Sequence, residues 1–160
     1  MIGRAAPSGS GPGPLARARL ALRAAYLAAA LAACEEHEFH PPDRDAQVAE
    51  ADALYRPAAF DTIQWPDSAA RFTAGNELYA STCRKCHGPT GEAGTEYAAA
   101  QGIDVPSLVR DDFPYDSIDD VRRRVFAGHP EGMPTFGVGK LSLREIDAVA
   151  AYLLEGLRSE

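Results

Sequence analysis

The feature that most constrains this chain is a five-residue segment, Cys83-Arg84-Lys85-Cys86-His87. Two thiols three residues apart, followed at once by a histidine, form the pattern at which a c-type haem is attached. The spacing has a mechanical reason, because two thioether bonds hold the edge of the macrocycle while the next residue places its imidazole under the iron. The sequence therefore predicts one covalent haem c, held by Cys83 and Cys86, with His87 as an iron ligand.

A thioredoxin-like redox motif and a zinc site are the alternative interpretations of these cysteines. A redox motif of this spacing sits where a strand leads into a helix, whereas the segment before Cys83 has a helical pattern. A zinc site needs four ligands and usually a second paired motif, and only His37, His40 and His129 remain as candidates. Neither alternative fits the surrounding sequence as well as haem attachment does.

The first 33 residues have the order of a secretory signal. A basic segment precedes residues 24–33, an uncharged run of 10 residues, which is half the length of a membrane-spanning helix. The run ends in Leu31-Ala32-Ala33-Cys34, which resembles a bacterial lipobox and makes Cys34 the expected lipidation site. An ordinary cleavage site beside an incidental cysteine is the alternative. We expect residues 1–33 to be removed and the exported protein to be lipid-anchored to the cell envelope, facing the periplasm.

The exported part divides at about residue 66. Residues 34–66 contain four prolines and many acidic residues, and they are expected to form an acidic tether. Aromatic residues such as Phe60 and Trp65 are unusual in a purely solvated linker and indicate that part of the tether packs. Residues 45–54 have a thin apolar stripe that is compatible with a short helix. Residues 67–160 are predicted to form the compact domain.

Helical patterns dominate the predicted domain, and no alternating run indicates a sheet. The first helix is expected over residues 68–81. The second begins at Ser117, carries acidic residues in its first turn and stops at Gly128. The third begins with the capping-box sequence Ser142-Leu143-Arg144-Glu145. The predicted fold class is therefore all-α.

Three further stretches follow the cysteine motif in a recognisable order: Val105-Pro106-Ser107-Leu108, Gly132-Met133-Pro134 with Phe136, and a helical segment at residues 141–154. Together with the motif they resemble the haem-binding stretch, the Pro-x-Leu element, the distal-ligand loop and the terminal helix of the small class I monohaem cytochrome c family. The resemblance covers residues 68–160. It implies a small cytochrome c fold, with three or more helices wrapped around one covalently bound haem.

The resemblance also implies roles for individual residues. It makes the Pro106 carbonyl the acceptor for the second ring nitrogen of His87, and it places Leu108 near the haem face. Ordinary loop and core positions are the alternative for these two residues. It makes Met133, the only methionine after the initiator, the distal iron ligand. His129 is the alternative, and two imidazoles would lower the reduction potential relative to a thioether ligand.

The charge distribution bears on the partners. Residues 34–160 contain 12 basic and 23 acidic residues, a net charge of −11. An acidic body of this kind speaks against nucleic acid as a partner. Five cationic residues could form a basic rim for docking or could belong to an ordinary solvated surface. They are Arg84, Lys85, Arg122, Arg123 and Arg124.

The expected function is electron transfer. One haem, two protein ligands to its iron and the lack of paired catalytic carboxylates or an activated nucleophile indicate a carrier without a small-molecule substrate. The expected partners are redox proteins, such as a membrane dehydrogenase, a quinol-oxidising complex, a terminal oxidase or a photosynthetic reaction centre. The alternatives are a fixed haem c subunit of a larger membrane oxidoreductase, or a haem sensor or enzyme with an open iron position.

Overall fold

The computed structural model describes residues 41–111 and 113–158, and near the N-terminus Gly13, Leu15, Ala18, Arg19, Leu22 and Arg23. The chain divides into two units, Met1–Pro41 and Pro42–Glu160. In the first unit, Leu15 and Leu22 are helical and exposed. Cys34, the predicted lipidation site, lies outside the described residues. None of the helices within the described ranges has the length and apolar character needed to cross a bilayer.

Every regular element in the described ranges is helical, so the all-α prediction is confirmed. The helices are α1 (Arg44–Leu54), α2 (Ser68–Leu78), α3 (Arg84–His87), α4 (Glu96–Ala100), α5 (Ile118–Ala127) and α6 (Leu143–Tyr152). Pro57–Ala59 form a short 3₁₀ turn, and Tyr79–Cys83 and Leu153–Leu157 are π-helical turns. The first predicted helix ends at Leu78 instead of Ser81, because the chain widens into the π turn there and continues directly into α3.

Local capping residues set the ends of α5 and α6 where the sequence predicts them. The Ser117 hydroxyl accepts from the backbone N–H of Asp120 at 3.1 Å, and Gly128, with φ of 78°, ends α5. The Ser142 hydroxyl accepts from the backbone N–H of Glu145 at 3.3 Å, while the Glu145 carboxylate accepts from the Ser142 N–H at 2.8 Å. The predicted capping box is therefore present.

The helices α2 and α6 cross closely at Gly75. This residue is buried, and a Cβ there would lie 2.7 Å from the Cβ of Tyr152 and would overlap the backbone carbonyl of Ala148. Below the crossing, the buried hydroxyl of Tyr79 donates to the carbonyl of Gly88 at 2.7 Å. The crossing thus fixes the start of the cysteine motif against the C-terminal helix.

The helix α1 lies in the segment assigned to the tether, and it packs against α5. Tyr55 and Phe60, which follow α1, are buried in the core. The Tyr55 hydroxyl donates to the carboxylate of Asp119 at 2.7 Å, and Arg123 donates to Asp52 at 2.6 Å. Residues 42–66 therefore belong to the same compact unit as the domain predicted at 67–160, because their aromatic side chains are buried there.

A buried carboxylate, Asp147, ties α6 to three other parts of the domain. It is 2% exposed and accepts from Nε1 of Trp65 at 2.7 Å, Nε of Arg71 at 2.9 Å and Nε of Arg122 at 3.0 Å. Burial alone raises the pKa of Asp147, but the hydrogen bonds from Arg71, Arg122 and Trp65 outweigh burial and hold the pKa below its ordinary value. Arg122 is thus committed to an internal contact.

Other members of the suggested basic rim also have partners within the chain. Arg123 pairs with Asp52, as described above. Arg124 donates to the carbonyl of Gly128 at 3.0 Å, and the Lys85 ammonium lies 3.7 Å from the ring centroid of Tyr97. Four of the five cations therefore have contacts within the chain, and Arg84 is exposed.

Candidate functional site

The cysteine motif forms the last part of one continuous helical path. The π turn Tyr79–Cys83 leads into α3, so that Cys83 and Cys86 lie about one helical turn apart. Both are free, half-buried thiols. Burial, with a smaller effect from Cys86, raises the pKa of Cys83 to about 12. The turn therefore presents two free thiols at the spacing that haem attachment requires.

The imidazole of His87 is partly withdrawn from water at the end of α3. Burial lowers its pKa, and the nearby backbone of Pro106 opposes that effect. Because proline has no N–H, the opposing group is the Pro106 carbonyl. Within the described part of the chain, Nδ1 of His87 has no partner in hydrogen-bond geometry. The carbonyl thus lies near the ring without completing a bond to Nδ1, and its role as acceptor stays a prediction.

The Pro-x-Leu element is held beside the motif by Gly91. The Gly91 carbonyl accepts from the backbone N–H of Leu108 at 2.7 Å and from the Ser107 hydroxyl at 3.3 Å. Gly91 has φ of 80°, and a Cβ there would lie 2.5 Å from Cδ2 of Leu157. Only glycine fits this turn without a shift of the neighbouring leucine, and the turn brings Pro106 and Leu108 towards His87.

Met133 lies in a tight loop, residues 128–134, that follows α5. The N–H of His129 donates to the carbonyl of Met133 at 2.9 Å and closes the loop. Gly128 begins it with φ of 78°, and a Cβ there would lie 2.6 Å from the carbonyl oxygens of both Met133 and Pro134. Glycine is therefore required at the point where the loop folds back on itself.

Three of the predicted site residues share one buried cluster. Leu108 is 8% exposed and belongs to the core, and the half-buried side chains of Cys83 and Met133 pack against that core. All three therefore contact the same core, although they lie at least 25 positions apart in the sequence. His87 is the last residue of α3, and its ring lies near the backbone of Pro106.

His129, the alternative distal ligand, has a different environment. Its side chain is 41% exposed. Its Nδ1 accepts from the backbone N–H of Glu131 at 3.3 Å and lies 3.6 Å from the Glu131 carboxylate. The imidazole is therefore engaged with Glu131, whereas Met133 contacts the core.

One residue at this loop, Arg44 on α1, is not indicated by any sequence pattern. Its Nη2 donates to the carbonyl of His129 at 3.3 Å and to that of Met133 at 3.2 Å. The partners are 85 and 89 residues away in the sequence. No local signal could have predicted contacts over that separation.

The available side chains fit a haem c better than a metal ion bound by side chains alone. In residues 41–111 and 113–158, no group of three His, Cys, Asp or Glu side chains could hold a metal ion. His37 and His40, the other candidate zinc ligands, lie outside the described residues. The free thiols of Cys83 and Cys86, the partly buried imidazole of His87 and the thioether of Met133 are side chains of the kinds that can hold a haem c.

Comparison with known proteins identifies a family for most of the domain. The family described as "Cytochrome C oxidase, cbb3-type, subunit III" matches residues 70–153, just over half of the chain. No curated protein and no solved structure matches the chain significantly. The matched range contains the cysteine motif, the Pro-x-Leu element and the Met133 loop. The chain therefore belongs to the family of cytochrome c oxidase, cbb3-type, subunit III, a family of c-type monohaem cytochromes whose small all-α domain carries a haem iron and transfers electrons.

Proposed function

We propose that the protein is a one-electron carrier that binds one haem c through Cys83 and Cys86, with His87 and Met133 as the iron ligands. The observation that carries this proposal is the packing of Cys83 and Met133 against one buried core. His87 ends the short helix that follows Cys83. Bound haem supplies a reversible one-electron change at its iron. Cys83 and Cys86 would hold the haem by thioether bonds, formed by addition of their S–H bonds across its two vinyl C=C bonds, which needs no net oxidant.

The chain's own residues have separate tasks in this proposal. His87 binds as the neutral imidazole, the form that burial favours. Leu108, in the core, keeps water from the haem face. The Met133 thioether is a soft ligand that favours the ferrous iron and raises the potential relative to a second imidazole. With His87 and Met133 both bound to the iron, no position on it would be left for a small-molecule substrate.

Membrane attachment through a lipid at Cys34 is part of the same proposal. The compact unit starts at Pro42, so seven residues separate Cys34 from it. Seven residues reach at most about 25 Å even when fully extended. An anchor of this length keeps the haem domain near the periplasmic membrane surface, within reach of membrane-bound redox partners.

A fixed subunit of a terminal oxidase is the second candidate. It is favoured by the description of the family, which names a subunit of a cytochrome c oxidase, and by the short anchor. Purification after mild detergent extraction separates the two candidates. A shuttling carrier comes away alone, whereas a subunit comes away with stoichiometric partners.

The visible spectrum of the oxidised, haem-loaded protein tests the ligands. We expect the weak far-red charge-transfer band of a methionine sulfur on ferric haem, its loss in Met133→Ala and its retention in His129→Ala. A low-spin spectrum without the band would indicate that His129, and not Met133, is the second iron ligand. A high-spin spectrum, or ready binding of carbon monoxide by the reduced native protein, would refute the closed carrier. The mass of the intact chain, increased by one haem, reports covalent attachment, and Cys83→Ser with Cys86→Ser should abolish it.

A further inference from the structure

Arg44 connects α1 to both ends of the loop that carries Met133. Its Nη2 donates to the carbonyls of His129 and Met133, at 3.3 and 3.2 Å. We infer that Arg44 is a positioning residue that holds this loop closed and thereby keeps the Met133 sulfur at the iron. The inference rests on the proposed ligation by Met133.

The two carbonyls that bind Arg44 also hold the loop's internal hydrogen bonds. The Met133 carbonyl accepts from the His129 N–H at 2.9 Å, and the His129 carbonyl accepts from the Gly132 N–H at 3.2 Å. A carbonyl oxygen has two lone pairs and can accept both bonds at once. Each of the two carbonyls already accepts a backbone hydrogen bond that keeps the loop folded, and the Arg44 guanidinium gives each of them a second, charged donor.

Arg44 acts from a fixed position because α1 is anchored along its length. The Asp43 carboxylate caps the helix, accepting from the backbone N–H of Asp45 at 3.0 Å. Ala51 is 1% exposed, and Asp52 pairs with Arg123 on α5. Tyr55, immediately after the helix, is buried in the core. A donor on a rigid helix restrains the loop, whereas a donor on a flexible tether would only follow it.

Arg44 and the rest of α1 lie outside the part of the chain that matches the family. The match begins at residue 70, and α1 ends at Leu54. The residues that bind the haem and the residue that holds the ligand loop therefore come from different stretches of sequence. We therefore expect α1, which precedes the matched range, to stabilise the bond between the Met133 sulfur and the haem iron.

Imidazole binding to the oxidised, haem-loaded full-length protein tests the inference. Added imidazole binds ferric iron only after the methionine has left, so its apparent affinity rises with the fraction of open loop. Loss of two charged but exposed hydrogen bonds predicts that Arg44→Ala binds imidazole about three- to tenfold more tightly. The far-red band should weaken in the same variant. Arg44→Gln, which keeps the helix propensity, should shift both readouts in the same direction.

Arg56→Ala is the matched control, because Arg56 lies just beyond the other end of α1 and also donates to two carbonyls. Its partners are Ala53 at 2.7 Å and Tyr55 at 2.8 Å, far from the loop in sequence. We expect this variant to keep the band and the imidazole affinity of the unaltered protein. An equal change in Arg56→Ala would overturn the inference in favour of a general weakening of α1.

The remaining outcomes separate this inference from the proposed function. If the unaltered protein shows the band and Arg44→Ala binds imidazole with unchanged affinity, the positioning role of Arg44 is refuted while Met133 ligation stands. If the unaltered protein lacks the band, the proposed ligation fails, and the inference fails with it.

Discussion

Replacing Asp147 by asparagine should cost the domain a large part of its stability. Asparagine has nearly the same shape but places a neutral amide, with one acceptor oxygen, against the guanidinium groups of Arg71 and Arg122. Those side chains are only 22% and 16% exposed, so water restores little of the lost interaction. Removing one partner of a buried charge pair costs about 3–5 kcal/mol. A domain of this size has a free energy of unfolding of about 5–15 kcal/mol.

Urea unfolding of the full-length protein, followed by far-ultraviolet circular dichroism, measures this loss. Thermal unfolding gives a second measure of the loss. For a unit of this size, a loss of 1 kcal/mol in unfolding free energy lowers Tm by about 3–5 °C, so the Tm of Asp147→Asn should be roughly 10–20 °C lower. Asp61→Asn is the control, since Asp61 is an exposed carboxylate in a turn. Its free energy of unfolding should stay within about 0.5 kcal/mol of the unaltered protein.

The pH dependence of the difference provides a second check. The hydrogen bonds to Asp147 lower its pKa in the folded state. A carboxylate with a lowered pKa contributes its stability above the unfolded pKa of about 4, and the contribution is lost as pH falls through the folded pKa. The difference in free energy of unfolding between the unaltered protein and Asp147→Asn should therefore be constant from about pH 5 to 8 and decrease below pH 4. A difference in free energy of unfolding under about 1 kcal/mol at pH 7, or one that stays the same below pH 4, would refute the stabilising role of the Asp147 carboxylate.

Three further substitutions test other parts of the fold by urea unfolding. Gly75→Ala should lose about 2–4 kcal/mol, because the added methyl group overlaps the Ala148 carbonyl; unchanged stability would mean that α2 and α6 cross less closely. Tyr79→Phe removes the bond to the Gly88 carbonyl and should lose about 1–2 kcal/mol; a loss below about 0.3 kcal/mol would mean that water satisfies the carbonyl. Ser142→Ala should lose about 1 kcal/mol with the capping box, and a gain in stability would contradict the cap.

The sequence predicts those parts of the molecule that short-range patterns encode. The ends of α5 and α6 depend on Ser117, Gly128 and Ser142, each of which acts on backbone groups within a few residues. The cysteine motif is equally local, because its spacing follows from the geometry of one helical turn. These elements could be placed without knowledge of the fold.

Contacts between distant residues could not be predicted in this way. The Phe60 and Trp65 side chains indicate that the segment before the domain packs, but not that α1 lies against α5. Asp147 lies between apolar neighbours on α6, and the two arginines and the tryptophan that make its burial possible come from three other segments. Arg44 meets the Met133 loop for the same reason, through the fold and not through any pattern.

The close crossing at Gly75 has a consequence for how the domain opens. The haem motif and residues 128–134 lie between Gly75 and Ala148 in sequence, inside the long loop that the helix pair closes. Opening of residues 128–134 breaks local hydrogen bonds but leaves that pair intact. Amide hydrogens in this loop should therefore exchange with solvent at a low opening free energy, and those of α2 and α6 only on global unfolding. Residues 128–134 can therefore open and close many times during the lifetime of one folded molecule.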